Sequence, residues 1–176
     1  MTIFLVIAAL VALILLVALF SKKGYAIQRE ITINRPVQAV FDYLKHIKNQ
    51  DYFSKWVMMD PNLKKSFRGT DGTVGFVYAW EGNKKAGKGE QEIKGIKEGE
   101  RLDLEVRFEK PFEGIAQTPF TTVPANDHET KVTWSTSSTM KYPMNIMLLL
   151  MNMDKMLGKD MDESLLLLKN ILEKEG

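Results

Sequence analysis

The chain has 176 residues, with 24 lysines and arginines against 22 acidic residues and no cysteine. The lack of cysteine excludes disulfides and thiolate metal sites, and a net charge of +2 with interspersed signs gives no electrostatic footprint for nucleic acid. The two histidines, His46 and His128, belong to no metal or nucleophile motif. We therefore expect no metal, no cofactor, no catalytic residue of a known motif and no nucleic acid partner.

An uncharged, apolar run opens the chain at Thr2–Phe20 (TIFLVIAALVALILLVALF). As a helix it would measure about 28 Å, close to the roughly 30 Å hydrocarbon core of a bilayer. A cleaved secretory signal is the alternative, but such signals carry basic residues before a shorter apolar run. Lys22 and Lys23 follow directly, and basic residues beside a span favour the cytoplasmic side. The sequence therefore predicts a single-pass transmembrane anchor over 1–21 and a cytoplasmic domain over 22–176.

A strand and two short helices are predicted next. Residues 25–33 alternate between apolar and polar, which is the period of a half-buried strand. Pro36 is suited to the first turn of a helix, and apolar residues recur at helical spacing over 36–45. A second short helix is predicted over 47–56.

The middle of the chain reads as strands separated by turn signals, and the end as a long helix. Six strands are predicted, at 62–69, 73–81, 86–97, 100–110, 112–123 and 130–141. One helix is predicted over 143–174, with Gly158 as its one plausible interruption. A strand, two short helices, six closely connected strands and a long helix indicate an α+β domain in which an antiparallel sheet curves around the helix.

The inward phase of the predicted strands carries large aromatics beside small residues. Phe76, Tyr78 and Trp80 share one phase, whereas Ala116 and Thr136 represent the small residues of other strands. Large residues at the rim and small ones on the floor would leave a pocket beneath the helix. Alternatively, the small residues only let the sheet bend and the helix approach closely.

Methionine is concentrated between Met140 and Met156, where Met144, Met147 and Met151 would form one stripe of a helix. Methionine adapts to irregular apolar ligands but is also an ordinary core residue. The adjoining run 148–150 is leucine throughout and covers most of the helix circumference. A loop, a second protomer or the bilayer surface must therefore cover part of this segment.

Arg29 is the one charge on the apolar phase of its strand. A buried guanidinium needs a carboxylate or an anionic ligand group as a partner. Arg29 therefore either fixes a polar ligand group or reaches solvent along its stem at the end of the sheet.

Several stretches resemble the START-like polyketide cyclase/dehydrase and lipid-transport family of the SRPBCC superfamily. They occur in the family's order and cover about residues 24 to 174: ITINRPVQAVFDYL (31–44), YFSKW (52–56), GKGEQEI (87–93), RFEKPF (107–112), KVTW (131–134), MDKMLGKD (153–160) and LLK (167–169). The resemblance implies a helix-grip fold, a curved antiparallel sheet around a long C-terminal helix that encloses a deep apolar pocket. The family has no single catalytic motif, so its fold does not settle the function.

The sequence and the resemblance together favour a membrane-anchored, non-enzymatic domain that binds a hydrophobic small molecule or lipid. The predicted ligand-binding residues are Arg29, Trp56, Phe76, Tyr78, Trp80, Phe108, Trp134, Met144, Met147 and Met151. One alternative is a cyclase or dehydratase in which Tyr78 or Arg29 polarises a carbonyl. Another is a protein-interaction module like the family's co-chaperones, which would dock a partner on the apolar helix face.

Overall fold

A computed structural model describes residues 1–174, so the last two residues of the predicted domain lie outside the described residues. The helices are α1 (Thr2–Phe20), α2 (Val37–Lys45), α3 (Gln50–Phe53), α4 (Lys55–Met58), α5 (Met147–Leu150) and α6 (Met153–Lys174), with 3₁₀ turns at Ile47–Asn49 and Met144–Ile146. The strands are β1 (Gly24–Ile33), β2 (Lys64–Arg68), β3 (Val77–Glu81), β4 (Lys88–Lys97), β5 (Arg101–Lys110), β6 (Gly114–Gln117), β7 (Phe120–Asn126) and β8 (Glu129–Thr139).

All strand pairs are antiparallel, in the order β1-β8-β6-β5-β4-β3-β2, and β7 pairs with both β5 and β8. One face of this sheet packs against α6, which buries one large apolar residue in each of four successive turns: Met161, Leu165, Leu168 and Leu172. The opposing strands supply buried residues in alternation, as in β5 and β8. The predicted α+β architecture, an antiparallel sheet around a C-terminal helix, is confirmed.

The other face of the sheet carries a network of charges centred on Arg107. Its guanidinium donates to Glu105 at 2.6 Å, to Glu92 at 2.7 Å and to Glu90 at 2.9 Å. Hydrogen bonds from Arg107 hold the pKa of Glu92 below its usual range, and bonds from Arg68 and then Arg107 do the same for Glu90. Because these side chains are in contact with water, their burial costs little and their charges persist.

Two predicted elements are divided in the structure. The strand expected over 112–123 is β6 and β7, separated at Thr118 and Pro119, because proline has no N–H to donate to a strand ladder. The helix expected over 47–56 is a 3₁₀ turn followed by α3 and α4, and the chain is extended at Ser54 between them.

The predicted helix over 143–174 is also divided, but not at Gly158. The chain is extended at Met151 (φ −108°, ψ 126°), and α6 begins two residues later. The side chain of Asn152 accepts a hydrogen bond from the backbone N–H of Lys155 at 2.9 Å, as an N-cap does. This cap fixes the start of α6, and the helix then continues through Gly158.

The N-terminal helix α1 stands clear of the rest of the chain. Only Ala18 of its residues is buried, and the helix is long and apolar enough to cross a membrane. The C-terminal end of α1, which we call its foot, contacts the segment that follows β8. The Asn145 side chain there donates to the Ala18 carbonyl oxygen at 2.6 Å.

A candidate ligand cavity beneath the helix

A cavity of about 400 Å³ lies between the sheet and the helices α3, α4 and α6. Sites for drug-sized ligands typically measure about 300 to 1,000 Å³. Its walls are mostly apolar and aromatic, with a few polar groups: Tyr25, Gln50, Ser54, Trp56, Val57, Met59, Leu63, Tyr78, Trp80, Lys85, Ala86, Gln91, Val106, Phe108, Ala116, Thr118, Trp134, Thr136, Met156, Leu157 and Asp160. Its size and apolar walls suit one small molecule.

The register of the strands sets the floor of the cavity. One row runs across four strands through the paired residues Tyr78, Gln91, Val106 and Ala116. Since paired residues point to the same side, all four side chains face the helices. The side chains of this row decrease in size from Tyr78 to Ala116, so space remains between Ala116 and the helices.

Small residues have two different roles in this sheet. Ala116, Thr118 and Thr136 line the cavity and keep its floor low. Gly89 instead allows close packing, because a Cβ there would lie 2.8 Å from the Trp80 ring. Both interpretations of the small inward residues are therefore correct, each at different positions.

Aromatic rings hold the cavity walls in place. The Trp134 ring stacks on Phe120 with centroids 4.8 Å apart, and Trp56 packs against it at 5.0 Å. Trp80 and Phe108 meet edge to face at 6.1 Å on the opposite side. Such contacts add to the stability of the buried area and fix the ring positions. The cavity walls are thus held in shape by aromatic packing.

Three polar groups in the cavity wall are buried and have no hydrogen-bond partner within residues 1–174. They are the side-chain amide nitrogen of Gln50, the hydroxyl of Thr118 and the indole N–H of Trp134. The exposed fractions of these residues are 6%, 4% and 1%. A buried donor without a partner costs about 1 to 3 kcal/mol, so native proteins seldom leave one unsatisfied without a reason.

The Tyr78 hydroxyl, in contrast, is already committed. It donates to the Asp51 carboxylate at 2.6 Å, and Lys65 pairs with the other oxygen of that carboxylate at 2.8 Å. Burial and the neighbouring Asp51 raise the pKa of Tyr78 above its usual range. Tyr78 therefore stays protonated, and it could polarise a substrate carbonyl only by giving up its bond to Asp51.

Half of the predicted ligand-binding residues line the cavity and half lie elsewhere. Those in the cavity wall are Trp56, Tyr78, Trp80, Phe108 and Trp134. Phe76 shares the phase of Tyr78 but lies one row further along the sheet, where its 1% exposed side chain is part of the closed core. Whether the cavity residues bind a ligand stays a prediction.

Arg29 lies outside the cavity, on the edge between β1 and α6. Its guanidinium donates to Asp154 at 2.9 Å and to Asp162 at 3.1 Å. A Cβ at Gly158 would collide with the guanidinium, so this glycine creates the space that Arg29 occupies. The bond from Arg29 holds the pKa of Asp154 below its usual range. The Arg29 guanidinium is therefore paired with carboxylates of α6 and does not line the cavity.

The predicted methionine stripe does not face the cavity. The break at Met151 separates it from α6, so Met144 falls in a 3₁₀ turn and Met147 in α5. Met144 and Met147 are exposed and Met151 is half-buried. The methionine that does line the cavity is Met156, from the first turn of α6.

The polar residues of the wall were not among the predicted site residues, because those predictions rest on apolar periodicity. Gln50 lies three residues from both Ile47 and Phe53, and all three are buried. Gln91 likewise occupies the buried phase of β4, between Gly89 and Ile93. A polar residue among apolar residues of the same phase was thus the sequence signal for a polar group in the cavity wall. No group of three or more potential metal ligands occurs within the described residues.

A curved antiparallel sheet wrapped around a C-terminal helix above an apolar cavity is a helix-grip fold, the fold that the resemblance found in the sequence implies. No family model and no curated protein matches the sequence. The likeness to solved structures described next is at low identity and establishes the fold alone.

Several solved structures share this fold. Norcoclaurine synthase from Thalictrum flavum matches with a TM-score of 0.64 and 13% identity, covering 87% of this chain and 96% of that chain. Another structure of that enzyme contains dopamine and hydroxybenzaldehyde. Ara h 8.0201 matches with a TM-score of 0.55 and 14% identity, covering 86% of this chain and 99% of that chain. Protein CV1439 from Chromobacterium violaceum matches with a TM-score of 0.56 and 15% identity, covering 84% and 96%.

Proposed function

We propose that the protein is a membrane-tethered carrier or sensor that holds one apolar small molecule in the cavity beneath α6. The observation that carries this proposal is the cavity itself, which combines aromatic walls with three buried donors that have no partner. Apolar walls bind by removing surface from water, and a few polar groups orient the ligand. A ligand would thus gain from the walls and satisfy the donors together.

The unpartnered groups define the polar part of the ligand. Trp134 can only donate, and the nitrogen of Gln50 also donates, so the ligand must present a hydrogen-bond acceptor to them. Lys85 is the one cationic residue in the cavity wall within residues 1–174, and it is exposed. A buried carboxylate would thus lack a buried countercharge, which is costly. A neutral carbonyl or hydroxyl oxygen on an apolar body fits the cavity best.

The size of the cavity points the same way. Norcoclaurine synthase, which shares the fold, holds dopamine and hydroxybenzaldehyde, and both are small aromatic molecules. A volume of about 400 Å³ is of the order that such ligands or one short lipid chain need. The proposed ligand class is therefore a drug-sized apolar molecule with one acceptor group.

The tether is the second part of the proposal. Residues 1–21 would act as the anchor and the chain from Lys22 onward as the binding domain. Support comes from the length, the apolar composition and the exposure of α1, of which only Ala18 is buried within residues 1–174. Lys22 and Lys23 would then hold the domain on the cytoplasmic side.

The test is to identify what the cavity retains. The full chain, transferred from cells into lipid nanodiscs, would be extracted with solvent and its small molecules identified by mass spectrometry. The variant Ala116→Phe would fill the floor of the cavity, where Ala116 is 2% exposed. Ala79→Phe on the outward phase of β3 is the matched control, because it adds the same ring outside the cavity.

A compound that is present in the wild type and in Ala79→Phe, but lost in Ala116→Phe, would be the ligand. Identical extracts from all three proteins, each shown to be folded by circular dichroism, would contradict the proposal. A compound recovered in chemically altered form would instead favour the cyclase or dehydratase alternative.

A further inference from the structure

Two exposed residues of the cavity wall, Lys85 and Phe108, lie at the same end of the sheet as the foot of α1. The row at the cavity's edge is traced by the pairs Trp80–Gly89, Gly89–Phe108 and Phe108–Gly114. Strands β6 and β8 are antiparallel, and Ala116 lies opposite Ser138. The position opposite Gly114 is therefore Met140, which continues this row. The backbone N–H of Met140 donates to the Lys23 carbonyl at 2.8 Å, three residues after the end of α1. We call this end of the domain the mouth end.

Large apolar side chains are exposed around the mouth end. Six of them form what we call the apolar rim: Phe108, Phe112, Ile115, Met144, Leu149 and Leu150. Phe112 is 71% exposed and Leu150 is 78% exposed, so both side chains project away from the domain. A large exposed apolar patch marks a surface that contacts another protein or a membrane.

Lysines surround the apolar rim. Lys22, Lys23, Lys84, Lys85, Lys110 and Lys141 are all exposed, and none of them forms an ion pair within residues 1–174. Glu109 and Asp154, two acidic residues of this end, are paired with Lys88 and Arg29, whereas Glu81 and Glu113 are exposed and form no salt bridge within residues 1–174. The six unpaired lysines therefore outnumber these two acidic residues. Apolar side chains amid unpaired lysines complement a bilayer with anionic headgroups, which attracts lysine and accepts apolar groups.

The same segment that supplies half of the apolar rim also holds α1. Asn145 lies between Met144 and α5, is fully buried, and bonds to the Ala18 carbonyl. If a bilayer surrounds α1, its surface would therefore lie at the level of the apolar rim. This continuity selects a membrane over a protein as the partner of the surface.

We infer that the mouth end is a membrane-docking surface, with the apolar rim in the bilayer interface, the lysines on anionic headgroups and the cavity open towards the lipid. This inference rests on the proposed tether, and it adds a fixed orientation to it. An apolar ligand then passes between bilayer and cavity without crossing bulk water. It also accounts for the leucine-rich and methionine-rich segment that the cavity does not use.

The experiment uses the full chain in nanodiscs that contain phosphatidylcholine and phosphatidylglycerol. Because the chain has no cysteine, single cysteines for spin labels can be introduced at Leu10, Phe112, Leu150 and Leu166. Leu166 is the matched control, since it is an exposed leucine on α6 outside the rim. The measurement is the accessibility of each label to oxygen, which enters bilayers, and to a water-soluble nickel reagent.

We expect labels at Leu10, Phe112 and Leu150 to favour oxygen over the nickel reagent, and the label at Leu166 to favour the nickel reagent. Rim labels as accessible to nickel as Leu166, with Leu10 in the bilayer, would overturn the docking and leave the tether intact. A Leu10 label in water would overturn the tether and the docking together. Rim labels shielded from both reagents would indicate a protein contact and would also overturn the docking.

Discussion

The substitution Thr118→Val tests whether the cavity wall is built for a polar ligand group. Thr118 is 4% exposed, and its hydroxyl has no partner within residues 1–174. Its backbone N–H donates to the Leu104 carbonyl at 2.8 Å, a bond that valine keeps. Valine has nearly the same shape as threonine, so the change removes one buried hydroxyl and little else.

The two states of the protein should respond with opposite signs. Without ligand, removing an unsatisfied buried hydroxyl should raise the free energy of unfolding by about 1 kcal/mol. For a domain of this size, that corresponds to an increase in Tm of about 2 to 4 °C. With ligand bound, the lost hydrogen bond should weaken the affinity by roughly 5-fold, which also corresponds to about 1 kcal/mol.

Thermal melts of the full chain in detergent, followed by circular dichroism before and after addition of the extracted ligand, measure both effects. Thr122→Val is the matched control: Thr122 is 3% exposed, but its hydroxyl donates to the Gly99 carbonyl at 2.8 Å. That variant should be destabilised by about 1 kcal/mol and keep its affinity. Equal destabilisation of both variants would refute the reasoning, because Thr118 would then have a partner of its own.

Three further outcomes are expected. Tyr78→Phe should lower the free energy of unfolding by about 1.5 kcal/mol in denaturant titrations, because Asp51 loses the hydrogen bond from Tyr78 and keeps only its ion pair with Lys65. An unchanged free energy of unfolding would contradict a stabilising role for the Tyr78–Asp51 bond. Gly158→Ala should displace the Arg29 side chain, so the pKa of Asp154 should rise towards its usual value. The pKa is measured by NMR, and Arg29→Gln should raise it in the same way. An unchanged pKa in Gly158→Ala would contradict the close packing of Arg29 on Gly158. Carboxylates with a lowered folded pKa stabilise the protein above their unfolded pKa of about 4.3 and lose this effect as the pH falls through the folded value. Arg107→Met should therefore flatten the acid-induced loss of stability, whereas an unchanged pH profile would contradict a role for the bonds to Glu90 and Glu92.

The parts of the fold that the sequence predicted are those that depend on local periodicity. Alternation placed Tyr78, Trp80 and Trp134 on the inward face, and all three line the cavity. The same reasoning failed for the methionines, because a helix pattern continues through Met151 whereas the cap at Asn152 starts a new helix. A single local hydrogen bond overrode the periodicity of the surrounding residues.

Long-range partners could not be predicted from the sequence for a different reason. Arg29 meets Asp154 across 125 residues of chain, and neither residue has a local pattern that indicates the other. Gln50 is similar, because its helix α3 packs against α6, which lies more than 100 residues further along the chain. The sequence thus indicated that a cavity was plausible, but not which polar groups were left in its wall.

The two outer strands of the sheet bear on how such proteins coexist at high density. The proposed tether would concentrate copies of the protein in two dimensions, where an unprotected strand edge could pair with a neighbouring chain and aggregate. On β1, the Thr32 carbonyl accepts a bond from Lys169 and the Asn34 N–H donates to Glu173, both from α6. The other edge, β2, is exposed along its whole length but carries two lysines and an arginine, and charged side chains on an edge strand disfavour pairing with a second chain. The sheet therefore ends on one side in a strand whose last residues are covered by α6 and on the other side in a charged strand, and both features disfavour extension of the sheet from one molecule to the next.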